Sequence, residues 1–408
     1  MNTHELDTTL HSDGISVDRD DSSVHIEPIK PCFPYPGGKR EVADMVWQRF
    51  GDVPNYSEPF AGSLAVMLGR PFAIRNETVN DANPYITNFF RAVKHEPKAV
   101  AFWADNPVNH ADLLSRHRWL KGISPLPDTI PSEFNTPELQ AAYIAGYQAR
   151  ADKPMNLAEF MHRMKSEPGY YDVKAAGWWV WGMACYIGTG WCDLSDSTRN
   201  KIPDLNCFRG VLSDGVSNQV PELGARANKG VNGAGFVISI PSLHAYMEKL
   251  SLRLRRVRVV NGDWKQVLGA TATYKSGLTG IFLDPPYSNV VRDRNLYAVD
   301  DHKDQVPTSQ LVREWCLEHI VDQNAKSGKV HYEGARYLHP KLRIALCGYV
   351  GEGHEVLEDL GWEKVEWTTQ GGMGNQRKNG KNENNRKEVI YFSPHCLKPG
   401  RIQQLAIF

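Results

Sequence analysis

The chain lacks several features that define large classes of proteins. No uninterrupted apolar run reaches the roughly 18 to 20 residues that a membrane-spanning helix requires, and the first 30 residues contain no apolar signal-peptide segment. The seven cysteines include no CxxC pair and no cysteine–histidine cluster at zinc spacing. These absences argue against membrane, disulfide-rich secreted and structural zinc proteins. We therefore expect an intracellular protein with buried, reduced thiols and no metal.

A net charge is also absent, because 47 basic residues balance 47 acidic residues in the 408-residue chain. This balance argues weakly against a nucleic-acid-binding protein, although the location of charge matters more than its sum. Residues 1–30 contain seven acidic and two basic residues, so the remainder of the chain is net positive. We predict that residues 1–30 form a disordered acidic leader.

From Phe33 onward, short apolar segments alternate with helical patterns, which predicts an α/β fold with a mainly parallel, twisted sheet. One strand is predicted to end at Tyr56, and a helix is predicted to start at Pro84. Further strands are predicted near residues 73–79, 253–260, 280–283, 343–349, 365–369 and 388–393. Residues 99–235 break this alternation and predict an inserted, largely helical module. The main domain would then consist of residues 31–98 and 236–400.

The most informative motif is Asp284-Pro285-Pro286-Tyr287, which directly follows an apolar predicted strand. In open α/β sheets, ligands bind in the crevice at the carboxyl ends of the strands. An exocyclic amine on a nucleobase is a poor nucleophile, and the Asp284 carboxylate and Pro285 carbonyl can polarise its N–H groups. The Tyr287 ring can stack on a base extruded from a duplex. A simple Pro-Pro turn capped by Asp284 is the structural alternative.

Three further motifs place polar groups near predicted strand ends. Tyr35 precedes Pro36-Gly37-Gly38-Lys39, where glycines allow close backbone approach and Lys39 supplies a cation; a turn with a solvated lysine is the alternative. The run Glu58-Pro59-Phe60-Ala61-Gly62-Ser63 lacks GxGxxG and a P-loop lysine, which disfavours a dinucleotide or nucleoside triphosphate site. Asp81 ends the next predicted strand, where it can accept hydrogen bonds from ribose hydroxyls or simply cap a helix.

The order of these motifs along the chain is more specific than any one of them. PGGK, EPFAGS, NDANP, NGDW (residues 261–264) and DPPY together resemble the Dam-type, D12 class DNA adenine N6-methyltransferases, which use S-adenosylmethionine. The resemblance extends from Phe33 to about Cys396 and implies a Rossmann-like methyltransferase fold with an inserted target-recognition domain. The sequence departs from the family pattern at Leu64, where glycine is usual, and at Trp264, where phenylalanine is common.

The resemblance also implies roles for individual residues. Tyr35 and Lys39 would meet the methionine part of the cofactor, and Asp81 would bind its ribose. Asp263 would accept a hydrogen bond from the cofactor's adenine amine, while Trp264 would pack on the ring. The full set of expected cofactor-binding residues is Tyr35, Gly37, Gly38, Lys39, Glu58, Pro59, Phe60, Ala61, Gly62, Ser63, Asp81, Asp263 and Trp264. The expected catalytic residues are Asp284, Pro285, Pro286 and Tyr287.

Affinity for DNA requires cations that face phosphates, and polar loops outside the motifs supply them. The expected DNA-binding residues are Lys229, Arg292, Arg294, Arg377 and Lys378, although each loop can also be solvated surface. The arginines of the segment 253–258 alternate with apolar residues and fit an exposed sheet face. The aromatic cluster of Trp178, Trp179 and Trp181 fits a buried core better than a base-stacking platform.

Together these observations predict a site-specific, adenine-specific DNA methyltransferase that flips an adenine of double-stranded DNA and methylates N6 by direct in-line transfer. N4-cytosine methylation is an alternative because both amines suit the same motif. A catalytically inactive DNA-binding protein that retains the fold is another. We expect a cytoplasmic, nucleoid-associated enzyme of a bacterial or phage-infected cell. The sequence leaves a homodimer open and reveals neither the recognition sequence nor a restriction partner.

Overall fold

The structure, a computed structural model, describes residues 15–17, 24–33, 35, 38–106, 110–124, 130–150, 152–185, 191–192, 194, 240–287, 306–322, 336–367 and 388–399. The strands within these ranges are β1 (Ile15–Val17), β2 (Val24–Ile26), β3 (Asn55–Glu58), β4 (Asn76–Asp81), β5 (Val257–Asn261), β6 (Thr279–Leu283), β7 (Ile320–Asp322), β8 (Arg336–Leu338), β9 (Leu342–Tyr349), β10 (Glu363–Glu366) and β11 (Glu388–Phe392). The α-helices are α1 (Ala43–Phe50), α2 (Ala65–Leu68), α3 (Pro84–His95), α4 (Pro97–Ala104), α5 (His110–Leu120), α6 (Pro137–Arg150), α7 (Leu157–Ser166), α8 (Val173–Cys185), α9 (Ile240–Leu254) and α10 (Thr308–Glu318).

A seven-stranded sheet in the order β10-β11-β9-β6-β3-β4-β5 forms the centre of the fold. The five strands from β9 to β5 are parallel, whereas β11 runs antiparallel to both β9 and β10. Strand β3 pairs with β4 on one side and with β6 on the other, so the chain changes direction across the sheet at β3. The expected mainly parallel α/β fold is confirmed, and it is consistent with a Rossmann-like methyltransferase architecture.

Helix α3 shows how local sequence produces the predicted elements. Pro84 occupies the first turn, where a missing N–H costs nothing, and the Asn83 side chain accepts a hydrogen bond of 2.9 Å from the Tyr85 N–H. The apolar residues that repeat at helical spacing, including Phe89 and Phe90, are buried against the sheet and α8. The predicted helix start at Pro84 is therefore confirmed.

Several predicted strand boundaries differ from those in the structure. Strand β3 continues to Glu58 rather than ending at Tyr56, and β4 covers Asn76–Asp81 rather than residues 73–79. The largest error concerns the segment 253–260, because α9 continues to Leu254 and β5 begins only at Val257. Arg253 is thus a buried helical residue and not part of an exposed sheet face. An alternation over few residues cannot by itself distinguish a strand from a helix end.

Part of the predicted leader lies within the described residues. Strands β1 and β2 pair as antiparallel neighbours there. Near the end of the leader, Ile29 is buried and its N–H donates a 3.0 Å hydrogen bond to the Leu68 carbonyl. The disordered acidic leader over residues 1–30 stays a prediction.

The predicted insertion begins inside a helix. The boundary between residues 98 and 99 falls within α4, whereas the boundary between residues 235 and 236 lies outside the described residues. Helix α8 packs on α3, α4 and α5, and Trp179 and Trp181 belong to the same buried cluster as Phe89. The expectation that these tryptophans are core residues is confirmed. The division into a catalytic domain and a separate target-recognition domain stays a prediction.

The cysteines whose side chains are described agree with the expected buried, reduced thiols. They are Cys32, Cys192, Cys316, Cys347 and Cys396. All five are buried, and no two of them form a disulfide. Within the described ranges, no helix combines the length and apolar character that are needed to cross a membrane.

A buried group of charges fastens α9 to the sheet. Glu77 of β4 is fully buried and accepts a hydrogen bond of 2.9 Å from the Arg253 guanidinium, which also donates to the Met67 carbonyl at 2.8 Å. Arg70 lies 3.4 Å from Glu77 on the other side and donates to the Val53 carbonyl at 2.8 Å. Removal of the Glu77 charge would therefore leave the buried Arg253 without its carboxylate partner, whereas Arg70 would keep Asp52 at 3.1 Å.

We expect Glu77→Gln to lower the free energy of unfolding by about 3 to 5 kcal/mol, the usual cost of leaving a buried charge uncompensated. Urea unfolding followed by circular dichroism would measure this change. Glu363→Gln is a suitable control, because Glu363 pairs with Arg49 but its side chain is 45% exposed, and we expect it to cost at most about 1 kcal/mol. Equal effects of the two substitutions would contradict the structural role of Glu77.

Candidate active site

A cavity of about 290 Å³ lies at the edge where the parallel strands β3, β4, β5 and β6 end. This volume is close to the lower end of the range for small-molecule and cofactor sites, roughly 300 to 1,000 Å³. The lining residues predicted from sequence are Tyr35, Gly38, Lys39, Glu58, Pro59, Phe60, Ala61, Gly62, Ser63, Asp81, Asp263, Trp264, Asp284 and Pro286. The structure thus brings motifs from five separate parts of the chain around one cavity.

The loop between β3 and α2 forms one wall of the cavity through two left-handed residues. Gly62 has φ +46°, and its N–H donates a 2.9 Å hydrogen bond to Asp81 Oδ2. A Cβ atom on Gly62 would lie 2.8 Å from the Tyr35 ring, so the ring packs directly on this glycine. Leu64 also has a left-handed backbone, with φ +58°. Glycine adopts this conformation without strain, which is a physical reason for the glycine at this position of the family pattern. The complete burial of the Leu64 side chain offsets the strain.

Asp81 is held by backbone hydrogen bonds at the end of β4. In addition to the bond from Gly62, its Oδ1 accepts a 2.8 Å hydrogen bond from the Asn83 N–H. Burial raises the pKa of Asp81 to about 6, although both of these hydrogen bonds lower it. The N-cap of α3 is Asn83, so capping that helix is not the function of Asp81. Its fixed carboxylate is instead available to a ligand in the cavity.

Glu58 lies at the end of β3 and is almost fully buried. Its Oε2 accepts hydrogen bonds from the Tyr56 hydroxyl at 2.8 Å and from the Met67 N–H at 3.2 Å. Burial raises the pKa of Glu58 to about 8, and these hydrogen bonds only partly counteract the increase. Glu58 is therefore mainly protonated at neutral pH and adds little negative charge to the cavity.

Asp263 and Trp264 line the cavity beyond the end of β5. Asp263 is exposed and caps a short 3₁₀-helix by accepting a 2.8 Å hydrogen bond from the Lys265 N–H. Trp264 is 7% exposed, and its ring centroid lies 6.0 Å from that of Phe60. The two rings form an apolar wall beside the Asp263 carboxylate, and this combination suits an aromatic ring that carries a hydrogen-bond donor.

Asp284 follows β6 directly and lies at the deep end of the cavity. Its Oδ1 is 3.0 Å from Lys39 Nζ and accepts a 3.2 Å hydrogen bond from the Tyr287 hydroxyl. Burial raises the pKa of Asp284, whereas the Lys39 ammonium and the hydrogen bonds from Lys39, Tyr287 and Cys347 lower it. These donors favour the ionised carboxylate, which is the form that accepts hydrogen bonds.

Lys39 connects the N-terminal PGGK motif to the DPPY motif. Its side chain is 3% exposed, and its Nζ lies 5.2 Å from the Tyr287 ring centroid and 5.7 Å from the Trp367 ring centroid. A second carboxylate, that of Glu388, lies 3.9 Å from Nζ. The arrangement places one cation between two acids and two aromatic rings, and both rings are at distances suited to cation–π attraction.

The remaining predicted residues have different positions. Pro285 is buried behind the cavity, and Tyr287 is 3% exposed with its ring packed against Tyr349 at a centroid distance of 4.5 Å. The other predicted residues lie outside the described part of the chain: Gly37, Lys229, Arg292, Arg294, Arg377 and Lys378. The roles proposed from sequence for all these residues stay predictions.

Some residues at the site were not predicted from the sequence. Asn80 and Gly262 line the cavity at the ends of β4 and β5, and their membership of the NDANP and NGDW motifs was an available signal. Val306, Thr308 and Leu311 also line it, at and just before the start of α10, and no motif marks them. Glu388 carries no motif either. Among the described residues, no cluster of His, Cys, Asp or Glu side chains is arranged to hold a metal ion.

The fold and the site define a class of protein. A mainly parallel sheet with a cavity at its switch point, and an acid followed by two prolines at the end of β6, are the features of an amino-methyltransferase. Residues 35–118 match the sequence model of the D12 class N6 adenine-specific DNA methyltransferases. The resemblance is thereby confirmed, and the chain carries a domain of this family. Comparison with curated proteins gave no match.

The family assignment gives the reaction in outline. The family matched over residues 35–118 consists of N6 adenine-specific DNA methyltransferases, and no finding favours the N4-cytosine or inactive alternatives. Such an enzyme requires a methyl donor and acts on DNA. The matched segment contains Lys39, Glu58 and Asp81, which all line the cavity, but it does not include Asp284.

We expect Gly62→Ala to raise the dissociation constant for S-adenosylmethionine by at least about tenfold. A Cβ at this left-handed position would push the Tyr35 ring out of the cavity wall, and misplacement by about 1 Å is costly at such sites. Calorimetric titration would measure the affinity. Gly269→Ala is the control, because its Cβ would meet nothing within 4 Å. Equal affinities of the two variants would show that the contact between Tyr35 and Gly62 does not contribute to cofactor binding.

Proposed function

We propose that the methyl donor is S-adenosylmethionine and that it binds in the cavity between Tyr35 and Trp264. The cavity offers groups that fit each part of this molecule: aromatic rings for the adenine, the Asp81 and Asp263 carboxylates for donors, and Lys39 for an anion. Asn80 also lines the cavity, and its side-chain oxygen is buried without a hydrogen-bond partner among the described residues. Such an acceptor favours a polar ligand over a purely apolar one.

When bound, S-adenosylmethionine would supply a methyl group that is already electrophilic because it is attached to a positively charged sulfur. The residues of the chain would then have to position and polarise the target amine. Asp284 is the acid best placed for this task, because it lies at the cavity and because Lys39 and Tyr287 favour its ionised form. The position of Asp284 is the single observation that carries the proposed mechanism.

The Pro285 carbonyl and Tyr287 complete the proposed base site. The carbonyl would be a second acceptor for the amine, and the Tyr287 ring would stack on the extruded adenine. In the structure, however, Tyr287 is covered by Tyr349 and Lys39, and only 3% of it is exposed. The base could reach the ring only after these neighbours move. We therefore propose that base capture includes a local opening around Tyr287.

The substrate in this proposal is double-stranded DNA, whose phosphates would contact Lys229, Arg292, Arg294, Arg377 and Lys378. Residues 99–235 would form the target-recognition module. The site of action would be the nucleoid of a bacterial or phage-infected cell. A homodimer and a restriction partner remain hypotheses that the charge and motif patterns do not address.

The decisive experiment is transfer of a tritiated methyl group from S-adenosylmethionine to unmethylated plasmid DNA, followed by nucleoside analysis. The expected product is N6-methyladenine. Production of N4-methylcytosine would contradict the adenine target. Cofactor binding without any incorporation would support an inactive DNA-binding protein instead.

We expect Asp284→Ala to slow methyl transfer by at least ~10²-fold while it changes the affinity for S-adenosylmethionine only a few-fold, because the lost acceptor acts on the reacting amine. Single-turnover assays and calorimetry would separate the two effects. Asp44→Asn, an exposed residue of α1, is the matched control and should have no effect on either. Unchanged turnover in Asp284→Ala would exclude Asp284 from the active site.

We expect Tyr287→Phe to retain most of the activity and Tyr287→Ala to lose about tenfold or more, because stacking needs the aromatic face and is worth roughly 1 to 3 kcal/mol. A 2-aminopurine at the target position would report base extrusion by its fluorescence. If both substitutions are equally inactive, the important feature of Tyr287 is its hydroxyl, which donates to Asp284 in the structure.

A further inference from the structure

Glu388 reaches the active site from a strand that carries none of the sequence motifs. It is the first residue of β11, which runs antiparallel to β9, and it pairs in register with Tyr349 at the carboxyl end of β9. The start of an antiparallel strand lies at the same edge as the ends of its parallel neighbours. This topology brings the Glu388 carboxylate to 3.9 Å from Lys39 Nζ.

The surroundings of Glu388 indicate that its charge affects Lys39. Its side chain is only 11% exposed, and its Oε2 has no hydrogen-bond partner among the described residues apart from this longer contact with Lys39. Burial raises the pKa of Glu388, while the nearby Lys39 ammonium lowers it. A buried carboxylate without full compensation is costly, so a structure would not retain it for stability alone.

The proposed chemistry creates a competition for Asp284. Asp284 has to accept a hydrogen bond from the target amine, yet its Oδ1 already receives Lys39 and Tyr287. A carboxylate has a limited number of lone pairs, and an ammonium that binds one oxygen tightly weakens it as an acceptor. A second counterion would let Lys39 move away from Oδ1 and leave both oxygens of Asp284 free to accept hydrogen bonds from the amine.

We propose that Glu388 is a positioning residue that acts through Lys39. Its carboxylate holds the Lys39 ammonium between the Tyr287 and Trp367 rings. When Asp284 accepts hydrogen bonds from the target amine, the carboxylate of Glu388 becomes the main ion-pair partner of Lys39. The proposal rests on the proposed function of Asp284. It adds a residue that contacts Lys39 without lining the cavity in the described structure, while its charge also acts through space on Asp284.

A double-mutant cycle tests this indirect action. Glu388→Gln removes the charge and keeps the shape, and it is made in the wild-type chain and in the Lys39→Met background. We expect Glu388→Gln to slow single-turnover methyl transfer by about tenfold in the wild-type chain but less than about twofold in the Lys39→Met background, because coupled residues are not additive. A purely structural effect would be the same in both backgrounds.

The same four proteins are titrated with S-adenosylhomocysteine by calorimetry, which needs no methyl transfer. Because Lys39 lines the cavity, we expect Glu388→Gln to alter the dissociation constant more in the wild-type chain than in the Lys39→Met background. Failure of wild-type methylation would thus refute the proposed function and still leave this coupling measurable. Glu363→Gln, at the first residue of neighbouring β10, is the control and should change neither quantity.

Thermal unfolding of each variant shows whether it is folded. If Glu388→Gln does not fold, Glu388→Asp replaces it in the cycle, since it keeps the charge but moves the carboxylate away from Lys39. The proposal is supported if the substitution at Glu388 changes the rate or the affinity more in the wild-type chain than in the Lys39→Met background. Equal effects in both backgrounds for both quantities, or no effect at all, would overturn it.

Discussion

The parallel pairing of β3 with both β4 and β6 is the constraint on which the site depends. Strand β3 has β4 as its neighbour on one side and β6 on the other. The connections that follow these strands therefore diverge and leave a crevice at their shared carboxyl edge. Glu58, Asp81 and Asp284 end or follow these three strands, so the sheet register alone brings the acids together. Residues far apart in sequence need no other interaction to become neighbours. Two residues near the N-terminus border the same crevice, because Tyr35 packs on Gly62 and Lys39 pairs with Asp284.

The electrostatics of the crevice follow from burying several acids around one cation. Burial favours protonation of Glu58 and also raises the pKa values of Asp284 and Glu388, whereas the Lys39 ammonium lowers these last two. Lys39 is the cation that both acids share, because its Nζ lies 3.0 Å from Asp284 and 3.9 Å from Glu388. The lysine is thus paired with acids of the protein, which agrees with the absence of a P-loop in the sequence.

The sequence predicted the parts of the site that depend on local patterns. Motifs at strand ends located Lys39, Asp81 and Asp284 correctly at one cavity, because strand ends and turns have recognisable residues. Glu388 could not be found in this way, since its position depends on the antiparallel direction of β11. Arg253 was misplaced because the arginines of the segment 253–258 alternate with apolar residues and so fit a strand pattern. Its hydrogen bond to Glu77 is a tertiary contact that this pattern does not reveal.

The closed state of the base site is a consequence of the same interactions that position Asp284. Lys39 and Tyr287 favour the ionised carboxylate, but they also occupy it, and Lys39 together with Tyr349 covers the ring on which a base would stack. An active site that must exclude water before the base arrives benefits from this closure, because an exposed acceptor would be hydrated. The contact between Lys39 and Asp284 can break only if the Lys39 ammonium pairs with another acid. A second carboxylate on an otherwise unmarked strand provides that partner, which links the topology of β11 to the chemistry at Asp284.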